Sequence, residues 1–361
     1  MESPKILLLI DSLGVGGAER QLTELAIGLK EKHCDVHFVV FPVSSETHYE
    51  PILTKAGIKV EYNRKGINKY HRIFEIARIC KSNNIDAVIA YKGGVCMAAA
   101  LSSLFHKAKT IVSERSTTQR QTLYERLKFF CYKFADCIIP NSFSQKAFIQ
   151  QHYPGLAPKT VVITNVVDCN RFHPTTEKHN RTIPVILTTA RIHPAKNILN
   201  YLDALKLLKE QGISFKAEWY GDINYNLSYY SVIDKRIKQN ELYDCFEIKS
   251  PVLNIEEVYR QADVYCLPSI YEGFPNVICE AMASGLPVAC SNICDNPHIV
   301  EDGVNGRLFN PQSPKEIASA LKEVLTSYTT GYDYSIVNRN RIVDLCQRDS
   351  FIEKYLNIIK K

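Results

Sequence analysis

The chain has 361 residues, of which 45% are hydrophobic and 23% charged, and a formal net charge of +6. This composition excludes a disordered or low-complexity chain and suits a globular protein long enough for two domains. No apolar run reaches the roughly 18 residues that a membrane-spanning helix needs. The twelve cysteines form no C-x-x-C pair. Most lie in apolar runs, as Cys137, Cys266, Cys279 and Cys290 do, which fits buried free thiols in a reducing compartment better than a disulfide framework or a zinc site.

Met1 to Lys5 leads directly into Ile6–Ile10. That run is too short and too lightly flanked for a signal peptide and reads as the first strand. Asp11 to Arg20 follows it, with Gly14, Gly16 and Gly17. Glycines let backbone N–H groups approach a phosphate closely, and the next helix adds its dipole. The spacing is G-x-G-G, not the dinucleotide G-x-G-x-x-G. The second strand, Val36–Phe41, runs into Pro42-Val43-Ser44 without an acidic residue to hold a ribose, which argues against NAD. A purely structural tight turn is the alternative. Further strands are expected at Ala87–Ala90, Thr110–Val112, Cys137–Pro140 and Val161–Ile163, rich in the β-branched runs of parallel strands covered on both faces.

Two basic stretches interrupt this half. Asn63-Arg64-Lys65-Gly66 to Arg72 reads as a solvated loop. Arg120 to Phe134 mixes Arg and Lys with large aromatics. An interfacial membrane helix has this pattern, and so does a helix packed in a core or between domains, which is the favoured expectation. The polar, aperiodic Phe172–Asn180 places a linker at about 170–182, between a first domain at 1–170 and a second at 183–344.

The second half repeats the alternation, with strands at Val185–Thr189, Lys216–Tyr220, Phe246–Ile248, Val264–Leu267 and Val288–Cys290. Arg191 and Lys196 follow the first of these, at the carboxyl end where open α/β sheets bind ligands. Two cations there can neutralise a diphosphate and stabilise it as a leaving group. After Val264–Leu267 come Glu272, Pro275 at a helix start, Glu280 about two turns in, and Gly285 at the helix end. A strand, a loop carboxylate, a helix N-terminus and a second carboxylate make a polar pocket for a ligand with hydroxyls and phosphates, such as a nucleotide-sugar. The plain alternative is a strand–helix–strand unit with solvated glutamates. From Tyr334 onward the pattern is helical. Two βαβ series imply an α/β protein of two doubly wound domains.

The segment Ser269-Ile270-Tyr271-Glu272-Gly273-Phe274-Pro275-Asn276-Val277-Ile278-Cys279-Glu280 closely resembles the E-x7-E motif of the retaining glycosyltransferases of family 4, which have the GT-B fold. Other elements match in order over nearly the whole chain. Gly16-Gly17-Ala18-Glu19-Arg20 is similar to the family's glycine-rich loop, and Asn141-Ser142 to its strand-end serine. Asn165-Val166-Val167-Asp168 resembles its N-G/V-V-D element, with Val166 at the usual glycine; these last two read as scaffold. Arg191 to Asn197 resembles its G/A-R-x-x-x-x-K-N/G element, Tyr220-Gly221-Asp222 a turn lining the nucleotide site, and Ile248 to Val252 the loop that holds the base. The resemblance implies two Rossmann-like domains facing each other across a cleft, with a last helix, about 345–361, returning to the first domain.

It also implies roles. Arg191, Lys196 and the Gly16–Gly17 backbone would assist diphosphate departure. Glu280 would hold the ribose hydroxyls, and Glu272 would contact or position the transferred sugar. Gly221, Val252 and the backbone of Phe274, Asn276 and Val277 would line the donor; Pro275 has no N–H to give. Many members carry a histidine near the donor sugar, where this chain has Ser113-Glu114-Arg115-Ser116, like an S-E-R variant of surface-polysaccharide enzymes. Glu114 and Arg115 are candidate contacts to donor or acceptor, or they pair with each other. Lys92, in Tyr91-Lys92-Gly93-Gly94, is a further candidate for the acceptor.

The implied activity is transfer, with retention, from a nucleotide-sugar to a lipid-linked saccharide or polysaccharide acceptor, in capsule, O-antigen or exopolysaccharide assembly. A UDP-sugar is favoured and a GDP-sugar is the other option. No D-x-D occurs, so no metal and no other cofactor is expected. Residues 1–171 hold 23 Lys and Arg against 15 Asp and Glu, and the remainder 21 against 23. This asymmetry points to an anionic partner for the N-terminal half. A pyrophosphate-bearing lipid or an anionic membrane surface fits, a solvated basic face is the alternative, and no nucleic-acid motif is present. The expected location is the cytoplasm, with peripheral contact at the inner face of the membrane. The rival readings are a nucleotide-sugar epimerase or glycan phosphorylase on the same fold, a non-catalytic GT-B binding subunit, and a dinucleotide-dependent oxidoreductase.

Overall fold

The computed structural model describes residues 3–14, 16–42, 47–64, 68–175, 181–330 and 334–360. Val15 of the glycine loop, Val43 and Ser44, Lys65 and Gly66, and residues 176–180 of the expected linker lie outside them. Among the described residues, twelve strands form two six-stranded parallel sheets. Backbone contacts divide the chain into a unit of Met1–Val166 with Gln347–Lys361, and a unit of Val167–Cys346.

In the N-terminal unit the strands are β1 (Lys5–Ile10), β2 (Asp35–Val40), β3 (Val60–Tyr62), β4 (Ala87–Tyr91), β5 (Lys109–Glu114) and β6 (Cys137–Pro140), in the order β3-β2-β1-β4-β5-β6. The helices are α1 (Gly17–Glu31), α2 (Glu50–Lys55), α3 (Lys69–Asn83), α4 (Gly93–Ser102), α5 (Leu123–Cys131) and α6 (Phe143–His152). Ile6 to Ile10 are all fully buried because side chains alternate between two covered faces. Ile6, Leu8 and Ile10 enter one core with Leu22, Leu25 and Leu29 of α1, whereas Leu7 and Leu9 enter another with Ile76 of α3 and Val95 of α4. α4 packs between α3 and α5.

In the C-terminal unit the strands are β7 (Val185–Thr189), β8 (Lys216–Tyr220), β9 (Phe246–Lys249), β10 (Val264–Leu267), β11 (Val288–Ser291) and β12 (Gly306–Phe309), in the order β12-β11-β10-β7-β8-β9. The helices are α7 (Ile198–Glu210), α8 (Leu227–Gln239), α9 (Ile255–Gln261), α10 (Asn276–Ala283), α11 (Asn296–Ile299), α12 (Pro314–Thr330) and α13 (Tyr334–Cys346). The same alternation builds two cores, Val264 and Cys266 facing α7 and α12, Tyr265 and Leu267 facing α10.

The closing helix, α14 (Arg348–Lys360), packs on α1. Arg348 pairs with Glu24 and Glu31, Ile352 lies over Gly28, and Tyr355 shares a 2.9 Å hydrogen bond with Tyr91. Val161–Ile163 is not a strand. It follows an isolated bridge at Thr160, and its backbone bonds to Ile138 and Pro140 form no ladder. β3 and β12, which the sequence pattern does not announce, complete the two sheets.

Candidate active site

In the C-terminal unit the strand order reverses between β7 and β10. The crevice outside the carboxyl ends of parallel strands at such a reversal is where open α/β sheets bind ligands. Lys196 leaves the end of β7 and Glu272 the end of β10. Lys196 Nζ donates to Glu272 Oε1 at 2.5 Å, and Ser269 Oγ donates to the same oxygen at 2.6 Å. The loops are tied by backbone groups. The Ile270 N–H donates to the Ala195 carbonyl at 2.8 Å, and the Asn197 amide donates to the carbonyls of Pro268 at 2.9 Å and Pro311 at 2.7 Å. The pair is therefore preorganised, and both side chains are largely withdrawn from water, where the attraction between them strengthens. Arg191 is exposed two residues beyond β7.

α10 begins at Asn276, with Pro275 as its N-cap at φ −84°, ψ 80°. That ψ is not helical, so the first turn starts after the proline. Glu280 is thus the fifth residue of the helix, a little over one turn in instead of two. Its side chain is buried, and Tyr259 Oη donates to its Oε2 at 3.2 Å. Tyr259 also shares a 2.8 Å bond with Thr189 Oγ1, which lies 3.0 Å from the Tyr265 hydroxyl. Burial raises the Tyr259 hydroxyl well above its ordinary range, and Tyr265 and Glu280 add to the effect. The hydroxyl stays protonated and donates.

The other donor candidates fall around this frame. The Phe274 side chain is in the core, and its carbonyl accepts the Asn276 N–H at 3.0 Å. That N–H closes a tight turn at the start of α10. Val277, in the first turn of α10, is half-buried, and Val252 is exposed in the loop after β9. Gly221 has a packing reason: a Cβ there would lie 2.3 Å from the Ala190 carbonyl oxygen, which Trp219 Nε1 already holds at 2.8 Å.

The N-terminal unit has its own reversal, between β1 and β4. Lys92, just past β4, has the left-handed φ of 70° with ψ 136°. Strain of this kind in a residue other than glycine collects at functional sites. Its ammonium donates to Glu19 Oε1 at 2.6 Å and Ser12 Oγ at 2.9 Å, and lies 2.9 Å from Asp11 Oδ1. Burial pulls the Lys92 ammonium down, but Glu19 and Asp11 outweigh it and the net shift is upward. A Cβ on Gly16 would sit 2.3 Å from Glu19 Oε2, so the glycine makes room for that carboxylate. Gly17 is the exposed first residue of α1. In both units, then, a lysine from one side of the reversal meets a carboxylate from the other.

Glu114, the last residue of β5, and Arg115, just beyond it, do not pair with each other, because each is held by other partners. Glu114 is buried on Lys128, at 2.7 Å, and on the Tyr132 hydroxyl. Arg115 donates to Asn165 Oδ1 at 2.9 Å and to the hydroxyls of Tyr91 and Tyr355, with its guanidinium 4.2 Å from the Tyr91 ring centre. The sequence reading missed Tyr259, Thr189, Ser269 and Asp11. Asp11 and Glu19 lie within the glycine-rich segment and Ser269 opens the E-x7-E segment, so those segments carried the signal for them, whereas nothing marked Tyr259.

Among the described residues, no helix is long and apolar enough to cross a membrane, and no cluster of three His, Cys, Asp or Glu is poised to hold a metal ion. Residues 15–171 match the family model "Glycosyltransferase Family 4", and residues 171–340 match "Glycosyl transferases group 1". The chain is 26% identical to the amylovoran biosynthesis glycosyltransferase AmsD of Erwinia amylovora over 336 residues, 90% of each chain. It is 23% identical, over 89% of each chain, to a Campylobacter jejuni α-1,4-N-acetyl-D-galactosaminyltransferase named for a diNAcBac-PP-undecaprenol-linked saccharide. Among solved structures, Anabaena HepE in complex with UDP and glucose superimposes with a TM-score of 0.83 at 20% identity, over 99% of each chain. The two models run in tandem from residue 15 to residue 340 and meet where the chain passes from one parallel sheet to the next, so the chain belongs to the family-4 glycosyltransferases of GT-B fold.

Proposed function

We propose that this glycosyltransferase moves a sugar from a nucleoside diphosphate sugar, UDP-linked in the favoured case, to a lipid-linked saccharide in the assembly of a bacterial surface polysaccharide. The carrying observation is the preorganised Lys196–Glu272 pair at the β7/β10 reversal, with the buried Glu280, on the helix that follows β10, held by Tyr259. Glu280 accepts hydrogen bonds from the ribose hydroxyls. Arg191 and Lys196 offset the charge that grows on the diphosphate as its bond to the anomeric carbon breaks, and Glu272 orients the sugar. The acceptor oxygen bonds to that carbon on the face the diphosphate leaves and passes its proton to the departing diphosphate oxygen, so configuration is retained. Lys92 and Arg115 of the N-terminal unit face the acceptor, whereas Glu114 is held in the core by Lys128 and Tyr132. Arg191 and Lys196 do the electrostatic work that a divalent ion does elsewhere, so no metal is required. The acceptor class follows the names of the relatives, which include the undecaprenol-linked substrate of the Campylobacter enzyme.

The test is free nucleotide release from UDP-, GDP- and ADP-sugars, with and without EDTA and with and without a bacterial lipid extract. Release from one donor that rises with lipid is the expected result. No release from any donor, or release that EDTA abolishes, would overturn the reading or its metal-free mechanism respectively.

A further inference from the structure

We propose that the outer surface of α3, the 3-10 turn Ser103–Phe105 and α5 docks this protein on an anionic lipid bilayer. The inference deepens the proposed function, because it rests on an acceptor presented by a membrane. Single exposed apolar residues are ordinary, whereas a contiguous exposed cluster is not. Leu123 and Tyr70 are 84% and 78% exposed, the highest values among the large apolar side chains of the N-terminal unit. Phe74, Phe105, Phe130 and Phe134 are also exposed. Among the described residues, every exposed phenylalanine lies in this unit, and Phe143 is the only one outside this surface.

The cluster is continuous. The Phe74 ring is 5.5 Å from Phe105, joining α3 to the turn, and Ser103 Oγ donates to the Phe134 carbonyl at 2.9 Å, joining the turn to the end of α5. Phe130 and Phe134 meet at 6.2 Å. On α5 the spacing Leu123, Leu127, Phe130 draws one outward stripe, opposite the buried Lys128 and Phe129. The favoured expectation of a packed helix therefore holds for one face of α5 only.

The charge around this surface selects the partner. Arg126 lies on the α5 stripe, Lys133 places its ammonium 5.1 Å from the Phe130 ring centre, and Lys81 and Lys107 flank α3 and the turn. None of these four is in an ion pair among the described residues. The acidic residues of the two helices, Glu75 and Glu125, are paired with Arg78 and Lys128. Aromatic side chains bordered by uncompensated Arg and Lys fit the headgroup region of an anionic leaflet, where apolar insertion and charge attraction add.

The experiment is flotation of the full chain with vesicles of phosphatidylcholine alone or with about a third phosphatidylglycerol. The variants are F74S/F130S and R126Q/K133Q, with melting temperatures to show that they fold. The wild type is expected to float with anionic vesicles only, less so at high salt. Each double variant is expected to bind at least about tenfold more weakly. Wild-type indifference to phosphatidylglycerol, or full binding by both variants, would overturn the proposal. So would concentration-dependent dimerisation that F74S/F130S abolishes without any vesicle binding, which would make the surface a protein interface. UDP binding measured in parallel without lipid separates the two readings: its loss in the wild type counts against the donor site, not the docking surface.

Discussion

Glu280 depends on a residue 21 positions upstream. Tyr259 supplies the hydroxyl that its carboxylate accepts, and Thr189 and Tyr265 fix that hydroxyl in turn. A hydrogen bond to a charged group contributes about 1.5–3 kcal/mol. Tyr259→Phe is therefore predicted to weaken nucleotide binding by about tenfold and to raise the donor KM, with kcat little changed; a nucleotide titration beside steady-state kinetics checks the split. Arg191 stands differently, exposed just beyond β7, and in the proposed function it offsets the charge on the departing diphosphate. Arg191→Ala is predicted to slow turnover about a hundredfold while nucleotide affinity changes less. Single-turnover kinetics measure this, and a wild-type rate would remove Arg191 from the site.

The loops that carry these residues are set by close backbone approach. The loop after β8 can lie on the loop after β7 because Gly221 has no Cβ. Gly221→Ala meets a carbonyl oxygen, not a side chain that can swing away, so a cost of about 1–3 kcal/mol is expected. Thermal unfolding should show a midpoint lower by about 5 °C; an unchanged midpoint would mean that the loop relaxes freely. The same physics explains what the sequence could reveal. β4 and β10 are continuous runs of apolar and aromatic residues, β1 is one after Lys5 and β7 one up to its two threonines, because both faces are covered, and they stand out. β3 and β12 are short strands at the sheet edges, and β12 carries Gly306 and Arg307, so no run marks them. Val161–Ile163 has the β-branched look of a strand, but its position beside β6 gives it only scattered bonds. Glu272, Glu280, Arg191 and Lys196 were readable because loop and helix signals surround them. Tyr259 was not, since its importance lies in contacts that folding creates.

Across the whole chain, all twelve cysteines are free and most are buried. Burial pushes the thiols of Cys80 and Cys96 up to about 12 and that of Cys137 to about 11. They should stay unmodified by a thiol reagent at neutral pH until the chain is unfolded, whereas rapid labelling of these three in the native protein would contradict the packing described. The two sheets share one design, a lysine and a carboxylate brought together where the strand order reverses. The central claim is that the reversal in the C-terminal unit binds the nucleotide of the donor. Equilibrium titration of UDP into the full chain and into Glu280→Ala tests it most directly. The account predicts saturable binding by the wild type and at least tenfold weaker binding by the variant; equal binding by the two would contradict it.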